Sequence, residues 1–450
     1  MVQGNEMTNE NLKLLNDAKA KFARILWCDN ANVIRAKAVH GKRLDAYLRH
    51  GVGISAAQQA LPVMFDAPAV GAGVGPVGEI RLVPDLQTFT MLPYAPGHAQ
   101  FIGDMVRDGG PWSCCPRNFL KRMIAAAAAA DLTIMAAFEN EFYLLQPEAD
   151  GIIPADRSVF AATLSMERQR EVIEAIAAAL TAQQITLEQY YPESGPGQQE
   201  LSMGYTHALA AADQQILFRE TVRAVAGQHQ RRASFVPKLF ADQAGSGCHL
   251  HLSLWRNGEN LVPDADQPGQ LSPVAQSFIA GILAHLPALM ALTTPSVNSF
   301  RRIRPHCWSG AFRCWGFDNR EAAVRVPTFP EPPSPTHVEL KTVDASANPY
   351  LALGAVMAAG LDGVHRDLPL AEPVQMDPGE MAASERQALG IDPLHQSLGA
   401  AIADLEKDHV LLKALGSDLA TAYLAVRRME WETMKEWDLE KEVELLVDRY

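Results

Sequence analysis

The sequence predicts an α+β fold in two domains: a small β-rich one over residues 1–110 and a larger one over 111–450. Three observations carry this. The chain has 450 residues, long for a single domain. Residues 23–110 alternate short apolar runs (Ile25-Leu-Trp-Cys-Asp29, Glu79-Ile-Arg-Leu-Val-Pro, Thr90-Met-Leu-Pro-Tyr) with Gly, Pro and Asp turns, the pattern of short strands. Beyond Gly109-Gly-Pro-Trp, strand-like runs alternate with helical ones.

In chain order, residues 1–20 read as a polar helical lead-in. Pro116-Arg-Asn-Phe-Leu-Lys-Arg-Met opens a helix with Pro in its first turn. The Ala-rich stretch 123–138, interrupted by Asp131, reads as a helix end running into a strand, not as a membrane span. Residues 134–145 form a strand. Residues 165–183 form a helix with Met166, Ile173, Ile176 and Leu180 on one face. A strand at 185–191 precedes a Gly-Pro-Gly turn, and 208–232 is a long helix. Strands follow at 233–239 and 248–255, then a helix at 275–292. Pro-rich 327–335 reads as a loop. A helix over 348–360 is entered through Asn-Pro, and 397–440 is helical.

Composition narrows the function. Apolar content of 48% supplies a large core, and a net charge of −13 without a basic stripe argues against a nucleic-acid surface. The polar N-terminus lacks an apolar signal core, and six Cys without CxxC spacing read as reduced thiols of a cytoplasmic protein.

The chemistry is concentrated in four segments. Phe-Glu-Asn-Glu-Phe at 138–142 puts Glu139 and Glu141 on one face of a strand, because side chains two apart point the same way. Phe138, Phe142, Tyr143 and Leu144 mark that strand as buried, where two carboxylates repel unless a cation neutralises them. Glu193 and Glu200 flank the Gly-Pro-Gly turn. His249, His251 and Ser253 share one face of the next strand, and Glu339 follows in Val-Glu-Leu-Lys. Five carboxylates and His249 make an oxygen-rich cage suited to Mg²⁺ or Mn²⁺ beside a nucleotide phosphate. Arg301, Arg302, Arg304, Arg320 and Arg325 add the cations that phosphoryl transfer needs.

These segments, with Pro237-Lys-Leu-Phe-Ala-Asp, Gly245-Ser-Gly-Cys-His-Leu-His-Leu-Ser and Asp344-Ala-Ser-Ala-Asn-Pro-Tyr-Leu-Ala-Leu-Gly, resemble the glutamine synthetase family over essentially the whole chain. The resemblance implies an N-terminal β-grasp domain, then a catalytic domain with an open antiparallel sheet and flanking helices. It implies homo-oligomers, a hexameric ring or a stacked dodecamer, with active sites between neighbours. ATP and L-glutamate would give γ-glutamyl phosphate, from which an amine displaces phosphate. Two or three Mg²⁺ or Mn²⁺ ions would be held, one by Glu141, Glu193 and Glu200 and a second by Glu139, His249 and Glu339. Glu188, Tyr205, His251, Ser253 and Arg325 map to the nucleotide pocket, Gly245 and Arg302 to the backbone groups of glutamate, and Arg320 to the γ-phosphate. Glu339 and Lys341 join Arg302 and Arg320 in the catalytic set.

The chain departs from the family's ammonia-using members where the acceptor binds. Trp308 stands where they carry a flap Glu, and Ser55 where they carry an Asp from the neighbouring subunit. Lys341 replaces an Arg near the glutamate side chain, keeping the charge but losing the bidentate fork. Ala244 replaces an Asn. A Trp in place of an acid suits an apolar amine, aromatic ones included, and Phe312 and Trp315 are near enough in sequence to share its pocket. A polyamine would favour an acidic acceptor pocket, and the sequence shows no clear one. The expected function is therefore a γ-glutamyl–amine ligase, with true glutamine synthetase and a catalytically silent relative as alternatives.

Overall fold

The computed structural model describes residues 20–147, 151–330 and 333–450, so the lead-in expected before residue 20 lies almost wholly outside the described residues. Two mixed sheets organise the chain. The first contains β1 (Phe22–Cys28), β2 (Ile34–His40), β3 (Val52–Ser55), β4 (Glu79–Pro84) and β5 (His98–Arg107) in the order β2-β1-β5-β4-β3. β1 and β5 run parallel at its centre, and the other pairs on this path are antiparallel. Ile25, Val52, Ile54, Ile80, Leu82 and Met105 alternate inward along these strands and bury one face.

The second sheet is entered through helix α1 (Pro116–Ala129), with Pro at its first turn. Its main strands are β6 (Thr133–Leu145), β7 (Leu187–Pro192), β8 (Gln198–Met203), β9 (Cys248–Arg256), β10 (Phe312–Phe317), β11 (Ala322–Val326) and β12 (Val338–Leu340), in the order β10-β11-β12-β9-β6-β8-β7. Among the described residues the sheet does not close on itself. It is antiparallel except at β10–β11, which run parallel. Helices α2 (Thr163–Ala182), α3 (Ala208–Gln228), α4 (Pro273–Thr293) and α5 (Pro349–His365) pack with it into one large core. α4 is long and apolar enough to cross a membrane by composition, but two thirds of that window is buried inside the protein.

Three expectations need correction. The strand expected at 233–239 stops at Ser234, because Pro237 has no N–H to donate and the Lys238 N–H goes to Asn298 Oδ1 instead. Residues 327–335 are not simply a loop: Thr328–Pro330 pairs with Pro333–Pro335 as a short hairpin. The helical stretch 397–440 is broken into α6 (Leu398–Leu405), α7 (His409–Leu415), α8 (Ser417–Met434) and α9, which runs on past it (Leu439–Leu446). Asp408 and Asp438 cap new N-termini there, each accepting backbone N–H bonds with its side chain.

Candidate active site

Strand register builds the site. β6 sets Glu139 opposite His249 of β9 and Glu141 opposite Glu200 of β8. β9 sets His251 opposite Glu339 of β12, and β12 sets Glu339 opposite Arg325 of β11. Because side chains alternate, one face of these strands collects the carboxylates and imidazoles. His249 Nδ1 lies 2.9 Å from Glu139 Oε1 and 3.3 Å from Glu339 Oε1. His249 Nε2 lies 3.8 Å from Glu141 Oε1, and His251 Nε2 lies 3.4 Å from Glu139 Oε2. Glu139, Glu141 and His249 could share one ion, and Glu139, His251 and Glu339 another, each with ligand atoms within 4.8 Å of one another. Glu193 and Glu200 stand at the edge of this group, both against Tyr191.

The electrostatics are those of a site built for cations. Burial, then Glu139 and Glu141, push Glu200 up to about 10; burial and Glu141 push Glu193 up to about 6. Burial would raise Glu139 as well, but His249 and His251 outweigh it and hold that carboxyl below the usual range. Glu339 is also held low despite burial, chiefly by Lys341. Its two oxygens accept from Arg325 at 2.9 Å and Lys341 Nζ at 3.0 Å. Glu141 Oε2 accepts from the Gly247 N–H at 3.0 Å and Gln198 Nε2 at 3.2 Å. A side chain at 247 would put its Cβ 2.5 Å from His249 Nε2, so only Gly leaves room for the cluster.

Beside Glu139 opens a cavity of about 640 Å³. Glu188, Tyr205, His251 and Ser253 line it, as the nucleotide assignment requires, whereas Arg325 is not among its lining residues and is engaged with Glu339. Tyr205 and Trp255 stack at 6.2 Å and 25°, giving a flat wall suited to a base. His337, not singled out from the sequence, also lines this cavity and meets His251 Nδ1 at 2.8 Å.

Gly245 and Arg302 are brought together: a Cβ at 245 would lie 2.5 Å from Arg302 Cγ. Arg302 is buried, donates through one terminal nitrogen to the carbonyls of Lys341 and Val343, and keeps its Nε without a partner among the described residues. Trp308 is 51% exposed with φ at 51°, its ring edge-to-face with Phe160 at 6.5 Å and under the Arg320 guanidinium at 5.6 Å. Phe160 in turn packs against Tyr191. Phe312 and Trp315 do not share this pocket, contrary to expectation. Both are buried in the core, Phe312 beneath Arg386 and Trp315 donating to Ala371 O at 2.7 Å. Ser55 lies apart in the first sheet, opposite Glu79 and bonded to Gly75 O.

Comparison with known proteins converges on one group. Residues 113–445 match the glutamine synthetase catalytic domain, and residues 10–112 the glutamine synthetase N-terminal domain. The chain is 40% identical over 414 residues to the gamma-glutamylpolyamine synthetase GlnA3 of Streptomyces coelicolor, covering 90% of this chain and 88% of that one. It is 32% identical over 457 residues to type-1 glutamine synthetase 1 of Dictyostelium discoideum, covering 96% and 90%. A solved structure of GmaS with ADP superposes with a TM-score of 0.85 at 30% identity, covering 98% of this chain and 100% of that one.

Proposed function

The chain belongs to the glutamine synthetase family, and from that premise we propose that it joins the γ-carboxylate of L-glutamate to an organic amine, not to ammonia. It is an ATP-dependent carbon–nitrogen ligase. One observation supports the proposal: the indole of Trp308, which the resemblance maps to the flap position of the acceptor side, is half-exposed and meets the ring of Phe160, with no carboxylate of its own to offer ammonium. Ammonium is a small, hydrated cation that needs carboxylates, whereas an amine with a carbon body gains from an aromatic face. The Streptomyces relative, named for polyamine ligation, supports the same class of acceptor.

The donor set fits divalent cations. Glu193 and Glu200 sit above their ordinary range because burial and the facing carboxylates disfavour their charged forms, which a cation would offset. Glu141, Glu193 and Glu200 would hold one Mg²⁺ or Mn²⁺, and Glu139, His249 and Glu339 a second. Bound there, the ions would supply charge neutralisation for the phosphates of ATP. The chain's own residues do the rest. Glu188, Tyr205, His251 and Ser253 seat the nucleotide. Arg302 offers its free Nε to the glutamate carboxylate, in the space Gly245 leaves open. Arg320 meets the transferring phosphoryl group, and Lys341 holds Glu339 in its ionised form. Ser55 would serve a neighbouring subunit's site in a homo-oligomeric ring.

Phosphate release from ATP with Mg²⁺ and L-glutamate, measured across ammonia, alkylamines, polyamines and anilines, tests this. Turnover with an organic amine well above that with ammonia is the expected result. Equal or better turnover with ammonia would make the protein a glutamine synthetase with an unusual flap.

A further inference from the structure

A second cavity, of about 1160 Å³, begins where the acceptor site ends. Ser194, next to Glu193, and Phe160, packed on Trp308, form part of its wall. It thus borders the residues next to Glu193 and Trp308, while the nucleotide cavity opens beside Glu139. Its volume far exceeds what ammonia or a short alkylamine occupies. Part of its wall is apolar, with Phe160 and with Phe240 held in place edge-to-face on Tyr143, whose hydroxyl donates to Ala244 O at 2.6 Å. Another part of the lining is acidic. Asp242 faces the cavity from the loop after Leu239, and Glu440 and Glu444 face it from α9. None of these three is in an ion pair among the described residues, and Arg157 is the one basic residue among those described as lining the cavity.

A cavity that combines an apolar wall with carboxylates outside any ion pair among the described residues, and that borders the neighbours of Glu193 and Trp308, matches an aliphatic chain with a cation at its far end. Resting on the amine-ligase reading above, we propose that this cavity is the subsite for the distal ammonium of a diamine or polyamine. The reacting nitrogen lies at Trp308 and Glu193, the methylenes along Phe160 and Phe240, and the second ammonium at Asp242, Glu440 and Glu444. The acidic pocket that the sequence lacks as a motif is thus assembled from two segments about 200 residues apart.

The test compares 1,4-diaminobutane with n-butylamine, which has the same carbon chain and no second charge. The readout is kcat/KM for phosphate release by the full-length, Mg²⁺-loaded protein. The diamine should be preferred about tenfold or more, the combined effect of several partly exposed charge pairs. In the Asp242→Asn, Glu440→Gln, Glu444→Gln triple variant that ratio should fall about tenfold, mainly through KM for the diamine. All three side chains are exposed, so the variant tests charge and not folding. Equal use of the two amines, or a ratio unmoved by the variant, overturns the subsite while leaving organic-amine ligation intact. Turnover confined to ammonia overturns the reading beneath it instead.

Discussion

The two sides of the reaction centre are built differently. On the metal and nucleotide side, Glu139, Glu141, Glu200, His249, His251, Arg325 and Glu339 stand on five hydrogen-bonded strands, β6, β8, β9, β11 and β12, and register fixes each one against its neighbour. On the proposed acceptor side the residues come from loops and helix ends: Trp308 on a turn at positive φ, Phe160 just before α2, Asp242 after Leu239, and Glu440 and Glu444 on α9. A sheet position cannot slip by one residue without sending its side chain to the opposite face. Loop positions carry no such constraint. Chemistry common to the family can therefore sit on the sheet, while the choice of amine can sit on the loops.

The largest effect should come from breaking the sheet side. Glu139 is a proposed ligand of the second ion and lies in both clusters of close ligand atoms, so Glu139→Ala should lower ADP formation at least about 100-fold, beyond what loss of an outer-shell partner usually costs. It should also abolish the rise in Tm on adding Mg²⁺, which differential scanning fluorimetry reads directly. A variant that still responds to Mg²⁺ with the wild-type shift would mean that the ions sit elsewhere. Next comes Gly247→Ala, whose new Cβ would press to 2.5 Å from His249 Nε2. It should weaken apparent Mg²⁺ affinity about 10- to 100-fold. Normal affinity would mean that the His249 strand yields more easily than its register suggests.

Breaking the loop side should change choice more than rate. Trp308→Glu removes the indole that meets Phe160 and Arg320 and restores a carboxylate. The ratio of kcat/KM for a bulky amine over ammonia should fall about tenfold, the scale of one desolvated cation–π contact. An unchanged ratio would make Trp308 simple flap packing.

The same contrast explains what could be read from the sequence. Glu139 with Glu141, and His249 with His251, were legible because a period of two on a buried strand admits few readings. Glu193 and Glu200 were marked by the turn between them. Tyr191 stood in plain view beside Glu193, yet nothing in its spacing shows that it meets both Glu193 and Glu200. His337 lies two before Glu339, on the same face of an extended segment, and that spacing could have found it. Phe160 lies in a stretch without periodicity. Phe312 and Trp315 misled because they share a segment with Trp308 but belong to β10, where both side chains turn into the core. In 397–440 the helical propensity was correctly read, but Asp408 and Asp438, the N-caps that divide it, were passed over. Asp242 and the α9 carboxylates meet only through tertiary packing, which no local pattern reports.

A probe remote from both sides sharpens the comparison, because it should alter stability without altering amine choice. His285 of α4 bridges two carboxylates, Asp408 at 2.6 Å through Nδ1 and Asp362 of α5 at 3.1 Å through Nε2. Asp408 is also the N-cap of α7, accepting from the Val410 and Leu411 N–H groups, and Arg366, the C-cap of α5, donates to Asp362. Burial would lower the imidazole, but the hydrogen bonds it donates to Asp408 and Asp362 outweigh that effect and raise it above 6.5. Asp408 is held below 3.8 by the same contact, again against the effect of burial. The sign follows from linkage. The histidine's contribution is complete below pH 6.5 and is lost as pH rises through its raised folded value. The Asp408 contribution is complete above pH 3.8 and is lost as pH falls through its lowered value. His285→Gln should therefore cost about 2 kcal/mol between those limits, the worth of hydrogen bonds to charged groups, with the deficit shrinking at alkaline pH. Urea unfolding at several pH values measures it. The ratio of organic amine to ammonia use should not move. If it did, the helices behind the sheet would help to shape the acceptor side, and amine choice would not belong to the loops alone.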